Sequence, residues 1–271
     1  MEVPAVDPFE LFEREKNQPI HQWVYYTLKM NIIRLRLHPG QEISEPEIAS
    51  RMGISRTPVR EAFIRLAEDG LLEVRPQRHT IVALIDLEQA EETRFVRMTL
   101  EKPITREACE LFAGTKPAVL ETNLLIQEEC LRCKDYEGFL ATDDEFHRTV
   151  YRSCGKERVW AFVKKLDTSH DRLRMMTLPL IGQEILAQHR AILELLVGGS
   201  VGGVDAVVED HLTNRVIGRV ILDYPESYFK QNPRDYARAA VTASAFAASA
   251  SADAHDLWIP AFPKLASKTL L

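Results

Sequence analysis

The chain has 271 residues, 45% of them hydrophobic and 27% charged, which gives room for two soluble globular domains with real cores. No apolar run approaches the roughly 18 residues of a membrane span, and the acidic start MEVPAVDPFELFE is the reverse of a secretory leader. These features exclude a membrane protein and point to the cytoplasm, with no membrane partner. Net charge is −6, yet residues 20–82 hold nine Lys and Arg against seven Asp and Glu, so one basic module adjoins a larger acidic one.

Residues 1–19 carry five acids and two bases with little periodicity and read as a flexible arm. From Ile20 a helical stripe of Ile20, Val24, Leu28, Ile32 and Leu35 runs to the turn at Pro39 and Gly40. Lys29, Arg34 and Arg36 on this helix are solvated or lie near phosphates. Ile48, Ala49 and Met52 then form an apolar helical turn, Gly53 permits a left-handed bend, and Ser55-Arg56-Thr57-Pro58 begins a second helix. Ser55 or Thr57 can cap that helix, and Pro58 is tolerated in its first turn because its missing N–H would be unpaired there.

Val59, Ala62, Phe63 and Leu66 share one face of the second helix, whereas Arg56 and Arg60, four apart, project together from another. Between Arg51 and Arg65 there are four Arg and one acid. Such a cationic fork suits guanine O6 and N7 or a phosphate, with Ser55 and Thr57 as further phosphate donors. After Gly70, residues 71–75 and 80–84 are β-like and enclose Pro76-Gln77-Arg78-His79, a wing that offers Arg75, Arg78 and His79 to DNA.

SRTPVREA followed by L-x-x-x-G-L-L resembles the winged helix-turn-helix of the GntR family of bacterial transcription regulators, over about Ile20 to Val82. The resemblance implies double-stranded operator DNA as partner. One winged helix contacts too little DNA for strong site selection, so a homodimer on a pseudo-palindromic operator is expected. Family members usually carry Gly near the wing tip, where His79 stands here.

From Asp86, a suitable N-cap, the pattern is helical at about 87–100, 104–113, 116–133, 135–152, 156–176, 183–197 and 204–222, with a kink or break expected at Pro103. The expected fold is mainly α, a winged helix-turn-helix (20–85) followed by an all-α antiparallel helical bundle (86–224). Residues 225–271, rich in small residues after about 237, read as a largely disordered tail. Cys109, Cys130, Cys133 and Cys154 read as reduced, mostly packed thiols; the lone Cys130-x-x-Cys133 spacing is a poor zinc or redox signal.

Asp143 and His147, four apart, lie side by side on one helix face. His189 and His211 stand in helices whose neighbouring i, i+3 and i+4 positions are apolar, so both imidazoles should point into the bundle. Three inward histidines and an aspartate invite a divalent transition metal, Zn, Ni, Mn or Fe; Asp144 replaces Asp143 if the helix is rotated. No base for metal-dependent hydrolysis is evident, because Glu145 points away from both ligands on its helix. An enzyme is therefore not expected.

D-x-x-F-H, H-R-A-I-L and A-x-x-x-D-H-L, in successive helices over roughly 88–222, resemble the FCD domain of the FadR-like branch of the GntR family. The resemblance implies a bundle holding a metal through Asp143, His147, His189 and His211, with a small organic acid effector beside it. A Glu commonly stands where Gln188 precedes the second histidine. Arg97, in an R-x-x-x-E pattern with Glu101, is then the candidate effector-binding cation, the alternative being a surface Arg97–Glu101 pair; Arg148 and Asn214 are further candidates, and His170 has no assigned position.

Overall fold

The computed structural model describes residues 9–75, 79–213 and 216–238. Among these, no helix is long and apolar enough to cross a membrane. The chain opens with α1 (Ile20–Ile33), β1 (Glu42–Ile43), α2 (Glu45–Met52), α3 (Arg56–Glu68), β2 (Leu72–Val74) and β3 (Thr80–Val82). Val24, Leu28 and Ile32 of α1 pack with Ile48, Val59, Phe63 and Leu66 into one core. α2 is well begun, since the Ser44 side chain accepts from the Glu47 amide at 3.3 Å, and it ends at Gly53 in the left-handed conformation, φ 66°.

The three strands form an antiparallel sheet in the order β1-β3-β2, with Glu42 opposite Ile81 on one side and Glu73 opposite Ile81 on the other. Sequence periodicity gives no hint of β1, because two residues are too few to show a period. The expected arm 1–19 is in part a docked segment. Asn31 exchanges hydrogen bonds with the Glu10 backbone at 2.8 and 2.9 Å, and the Trp23 indole N–H donates to the Phe12 carbonyl at 2.7 Å. Arg34 and Arg36 are therefore neither solvated nor free for phosphate. Both pair with Glu10 and with Glu137 of the second domain, the latter at 2.7 and 3.0 Å.

The second domain consists of α4 (Leu87–Phe112), α5 (Ala118–Arg132), α6 (Tyr136–Ser153), α7 (Glu157–Leu166), α8 (Thr168–Gly198), α9 (Val204–Leu212) and the short α10 (Ile217–Val220). α4 and α8 run side by side in the same direction, with Asp86 beside Ser169 at one end and Gly114 beside Val197 at the other. α5 and α6 form an antiparallel hairpin whose apolar faces join the main core. Helix divisions differ from expectation at both prolines. α4 continues through Pro103 and α8 through Pro179, and each proline is exposed, so water can serve the carbonyl that each leaves unbonded.

The domain boundary at 225 also needs correction. Phe229 and Tyr236 are buried in a third cluster with Ile85, Leu87, Leu173, Met176 and Ile221, and residues 233–238 are helical. Residues 225–238 thus belong to the folded body, while 239–271 lie outside the described residues.

Candidate nucleic-acid interface and metal centre

Four apolar side chains of α3, Val59, Ala62, Phe63 and Leu66, are buried and fix which face turns outward. Ser55, Arg56, Thr57 and Arg60 are all exposed on what remains. Ser55 occupies the N-cap with extended backbone, but its hydroxyl makes no capping bond and stays available to an outside acceptor. Among the described residues neither Arg56 nor Arg60 forms an ion pair, whereas Arg65 stacks over Tyr25 and Arg51 over Phe9. Two unneutralised guanidiniums at the start of a helix braced from behind form an anion-seeking surface, and a single helix is the element a major groove admits.

In the wing Arg75 is exposed and bonded to Glu73 at 2.9 Å, and exposed His79 stands 3.7 Å from Glu42. Both acids are themselves exposed, so these pairs are weak and exchangeable for phosphate. Arg78 lies outside the described residues.

In the bundle, α6 presents Asp143 and His147, α8 His189 and α9 His211. Donor nitrogens of the three histidines lie within 4.8 Å of one another. The Nε2 atoms of His147 and His211 are 3.1 Å apart, and the Asp143 oxygens stand 3.7 Å from Nε2 of His147 and of His189. Ligands about 2.0–2.2 Å from a common centre are separated by roughly 3–3.6 Å, so the arrangement is close to a coordination shell. Asp144 turns the other way, to Arg174 and Lys164 at 3.0 Å each.

Hydrogen bonding fixes which nitrogen of His189 faces the cluster. The Thr142 carbonyl can only accept, so Asn123 donates Nδ2–H to it at 2.9 Å and turns Oδ1 to accept from Gln127 Nε2 at 2.7 Å. Gln127 Oε1 is left to accept the Nδ1–H of His189 at 2.7 Å, which makes Nε2 a lone pair. That Nε2 is buried and has no hydrogen-bond partner. Such an orphan acceptor, beside a carboxylate and two more imidazoles, fits a divalent metal and fits little else. Glu101 stands 3.2 Å from His147 Nδ1 and orients that ring in the same way.

Burial drives the His189 pKa down to about 3 and that of His211 well below the usual histidine range, which keeps both imidazoles neutral and able to ligate. Burial alone would raise the Asp143 pKa, but the Arg174 guanidinium beside it outweighs this and holds a carboxylate.

Arg97 is not on the surface: it is buried, bonded through Nε to Glu101 at 2.7 Å, and its Nη2 has no hydrogen-bond partner. It lines a cavity of about 50 Å³ together with polar Asp143, Arg174 and His211 and apolar Ile181, Ile185 and Val216. Arg148 must be withdrawn from the effector site. It is exposed and paired with Glu157 and Glu145, because one residue along a helix from inward His147 turns a side chain by about 100°. Asn214 lies outside the described residues.

Sequence reasoning missed Arg174, whose guanidinium reaches Asp143 at 2.6 Å and Asp171 at 2.9 Å, and the Asn123–Gln127 relay. A signal existed for the relay: Asn123 and Gln127, four apart, interrupt the otherwise apolar stripe of Leu120, Leu124 and Cys130. His170, bonded to Asp167 at 2.8 Å, also lines the cavity. The four cysteines are free, and Cys133 alone of them is exposed.

Residues 21–82 match the model of the gntR family of bacterial regulatory proteins, and residues 92–214 match the FCD domain. The HTH-type transcriptional repressor RspR of Escherichia coli K12 is 32% identical over 197 residues, covering 72% of this chain and 86% of that protein. A regulator encoded in an unstable DNA locus of Streptomyces ambofaciens is 32% identical over 227 residues, covering 81% and 90%. The solved structure of E. coli McbR/YncC has the same fold, with a TM-score of 0.62 at 19% identity over 77% of this chain and 100% of that one. With a DNA-reading helix, a helical second domain and regulators as relatives, the chain is not an enzyme but belongs to the GntR family of bacterial transcription regulators that carry an FCD domain.

Proposed function

We propose that this regulator acts in the cytoplasm as a homodimer on a pseudo-palindromic operator and responds to a small organic acid bound beside a divalent metal. Ser55, Arg56, Thr57 and Arg60 are the reading residues, with Arg75, Arg78 and His79 reaching DNA from the wing. Asp143, His147, His189 and His211 hold the metal. Zn, Ni, Mn and Fe all accept this donor set. When bound, the metal supplies a Lewis-acidic charge that anchors an acid effector. Arg97, whose Nη2 is buried without a partner, donates to the effector carboxylate, and Asn214 is a further candidate for that role.

One observation carries the reading: His189 Nε2 is buried, unpartnered and held as a lone pair among three other donors. Metal analysis of the purified protein tests it, alongside a thermal-shift screen of small organic acids with and without chelator. Metal at one equivalent per chain, and acid-dependent stabilisation lost with chelator, is the expected result. Metal without any acid response leaves a structural metal, and absence of metal from protein refolded with each of the four ions refutes the site.

A further inference from the structure

Linkers between domains ordinarily run through solvent with few contacts, which lets the domains move. Here the connection at 83–87 is buried or half-buried throughout, and its backbone is tied from two sides. From α8, Arg172 donates to the carbonyls of Ala83 at 2.6 Å and Leu84 at 3.2 Å, and Ser169 Oγ accepts from the Asp86 amide at 3.2 Å. From the C-terminal segment, the Tyr228 carbonyl accepts from the Ile85 amide at 2.8 Å, and the Lys230 amide donates to the Ile85 carbonyl at 2.9 Å. Gln231 accepts from the Leu87 amide at 2.8 Å and donates to Asp86 at 2.9 Å.

Arg172 is fully buried and, among the described residues, makes no ion pair. A buried cation satisfied mainly by carbonyls is costly, and apolar residues could fill the same volume. What it does supply is a forked grip on two consecutive peptide groups of the joint. The strap also reaches the DNA-reading domain, where the Tyr228 hydroxyl is 2.9 Å from His38 Nδ1. This strap lies beyond the FCD match, which ends at residue 214.

We infer that residues 83–87 form a rigid joint, clamped by Arg172 on one side and by the strap Tyr228–Gln231 on the other, which fixes the DNA-reading domain on the bundle. α8 carries the clamp residue Arg172, the cavity residue Arg174 and His189, so a shift of that helix moves the joint and the DNA-reading domain together. Signal transfer by this route rests on the reading of the Asp143–His211 cluster as the effector site; the clamp itself does not.

Hydrogen exchange on the full chain tests the clamp. The Ile85 and Leu87 amides are expected to exchange on the order of 100-fold more slowly than an unstructured peptide. Gln231→Ala speeds exchange at Leu87, and Arg172→Met speeds it across 83–87, with α5 and α6 unchanged in both. If Arg172→Met fails to fold, half-buried Gln231 still gives the answer. Fast exchange in the wild type, or unchanged exchange in the variants, overturns the inference.

A second arm uses DNA selected in vitro by the wild type, with base pairs inserted between the half-sites. The wild type should lose at least tenfold in affinity on the lengthened site, and Gln231→Ala or Arg172→Met should lose much less. Equal losses overturn the claim that the clamp fixes the domain for DNA. A wild type indifferent to spacing overturns it as well if the protein is dimeric by light scattering; if it is monomeric, the homodimer reading fails, and exchange decides the clamp.

Discussion

Gln127 Oε1 accepts the Nδ1–H of His189 at 2.7 Å, and through this bond a carbonyl on α6 decides which ring nitrogen of α8 faces Asp143, His147 and His211. Gln127→Ala should therefore lower metal affinity by about 10–100-fold while the fold persists. His189→Ala should remove metal from the purified protein. Elemental analysis and competition with a chromophoric chelator measure both, and full retention of metal in His189→Ala would refute its assignment.

Arg97 and Arg148 make opposite forecasts for effector binding. Arg97→Met should abolish the thermal shift given by organic acids. Arg148→Ala should leave that shift intact and leave stability nearly unchanged, because its ion pairs with Glu145 and Glu157 are open to solvent. An equal loss of effector response in both variants would remove Arg97 from its role.

On DNA, Arg60→Ala should cost about 1–3 kcal/mol and relax base preference at one position per half-site, as expected for a bidentate contact to guanine. Arg75→Ala should weaken binding to all sequences alike and reduce the salt dependence by about one ion. Titrations at several salt concentrations, with a selected site and a scrambled one, separate the two outcomes. Base-independent loss in Arg60→Ala would reassign that side chain to phosphate.

Metal-free protein should lose stability as pH falls from about 6.5 to 5. The His189 pKa is about 3 in the fold, below its value in the unfolded chain, so the unfolded state binds more protons throughout that interval. Each such imidazole contributes a slope of up to about 1.4 kcal/mol per pH unit. Asp143 and Glu101, held low by Arg174 and Arg97, begin to lose their contribution only below about pH 5, as the unfolded carboxylates take up protons, so they do not mask it. Urea unfolding across this interval should show a shallower slope in His189→Leu, and an identical slope would remove His189 as its source.

Much of the molecule was legible in the chain because local spacing carries it. Positions i, i+3 and i+4 told which face of α3 is buried and hence that Arg56 and Arg60 face outward. The same rule set Asp143 beside His147 but left Asp144, three before it, as an alternative, which the contacts of Asp144 with Lys164 and Arg174 remove. It also gives the correction for Arg148, one position beyond an inward histidine, which no helix can turn inward as well. Whether a helix stops at Pro103 or Pro179 was not legible, since it depends on whether the carbonyl that each leaves unbonded meets water or core.

The sequence by itself determined that the second domain is helical, which face of α3 turns outward and the kinds of side chain offered by α6, α8 and α9, because these depend on residues within a turn or two of one another. Only the tertiary structure decided that Arg97 is buried rather than superficial, that Asn123 and Gln127 set the tautomer of His189, and that Tyr228–Gln231 grip the joint at 83–87. Those relations join atoms separated by as many as 145 positions, and no periodicity along a chain encodes which distant polar group will satisfy a buried one.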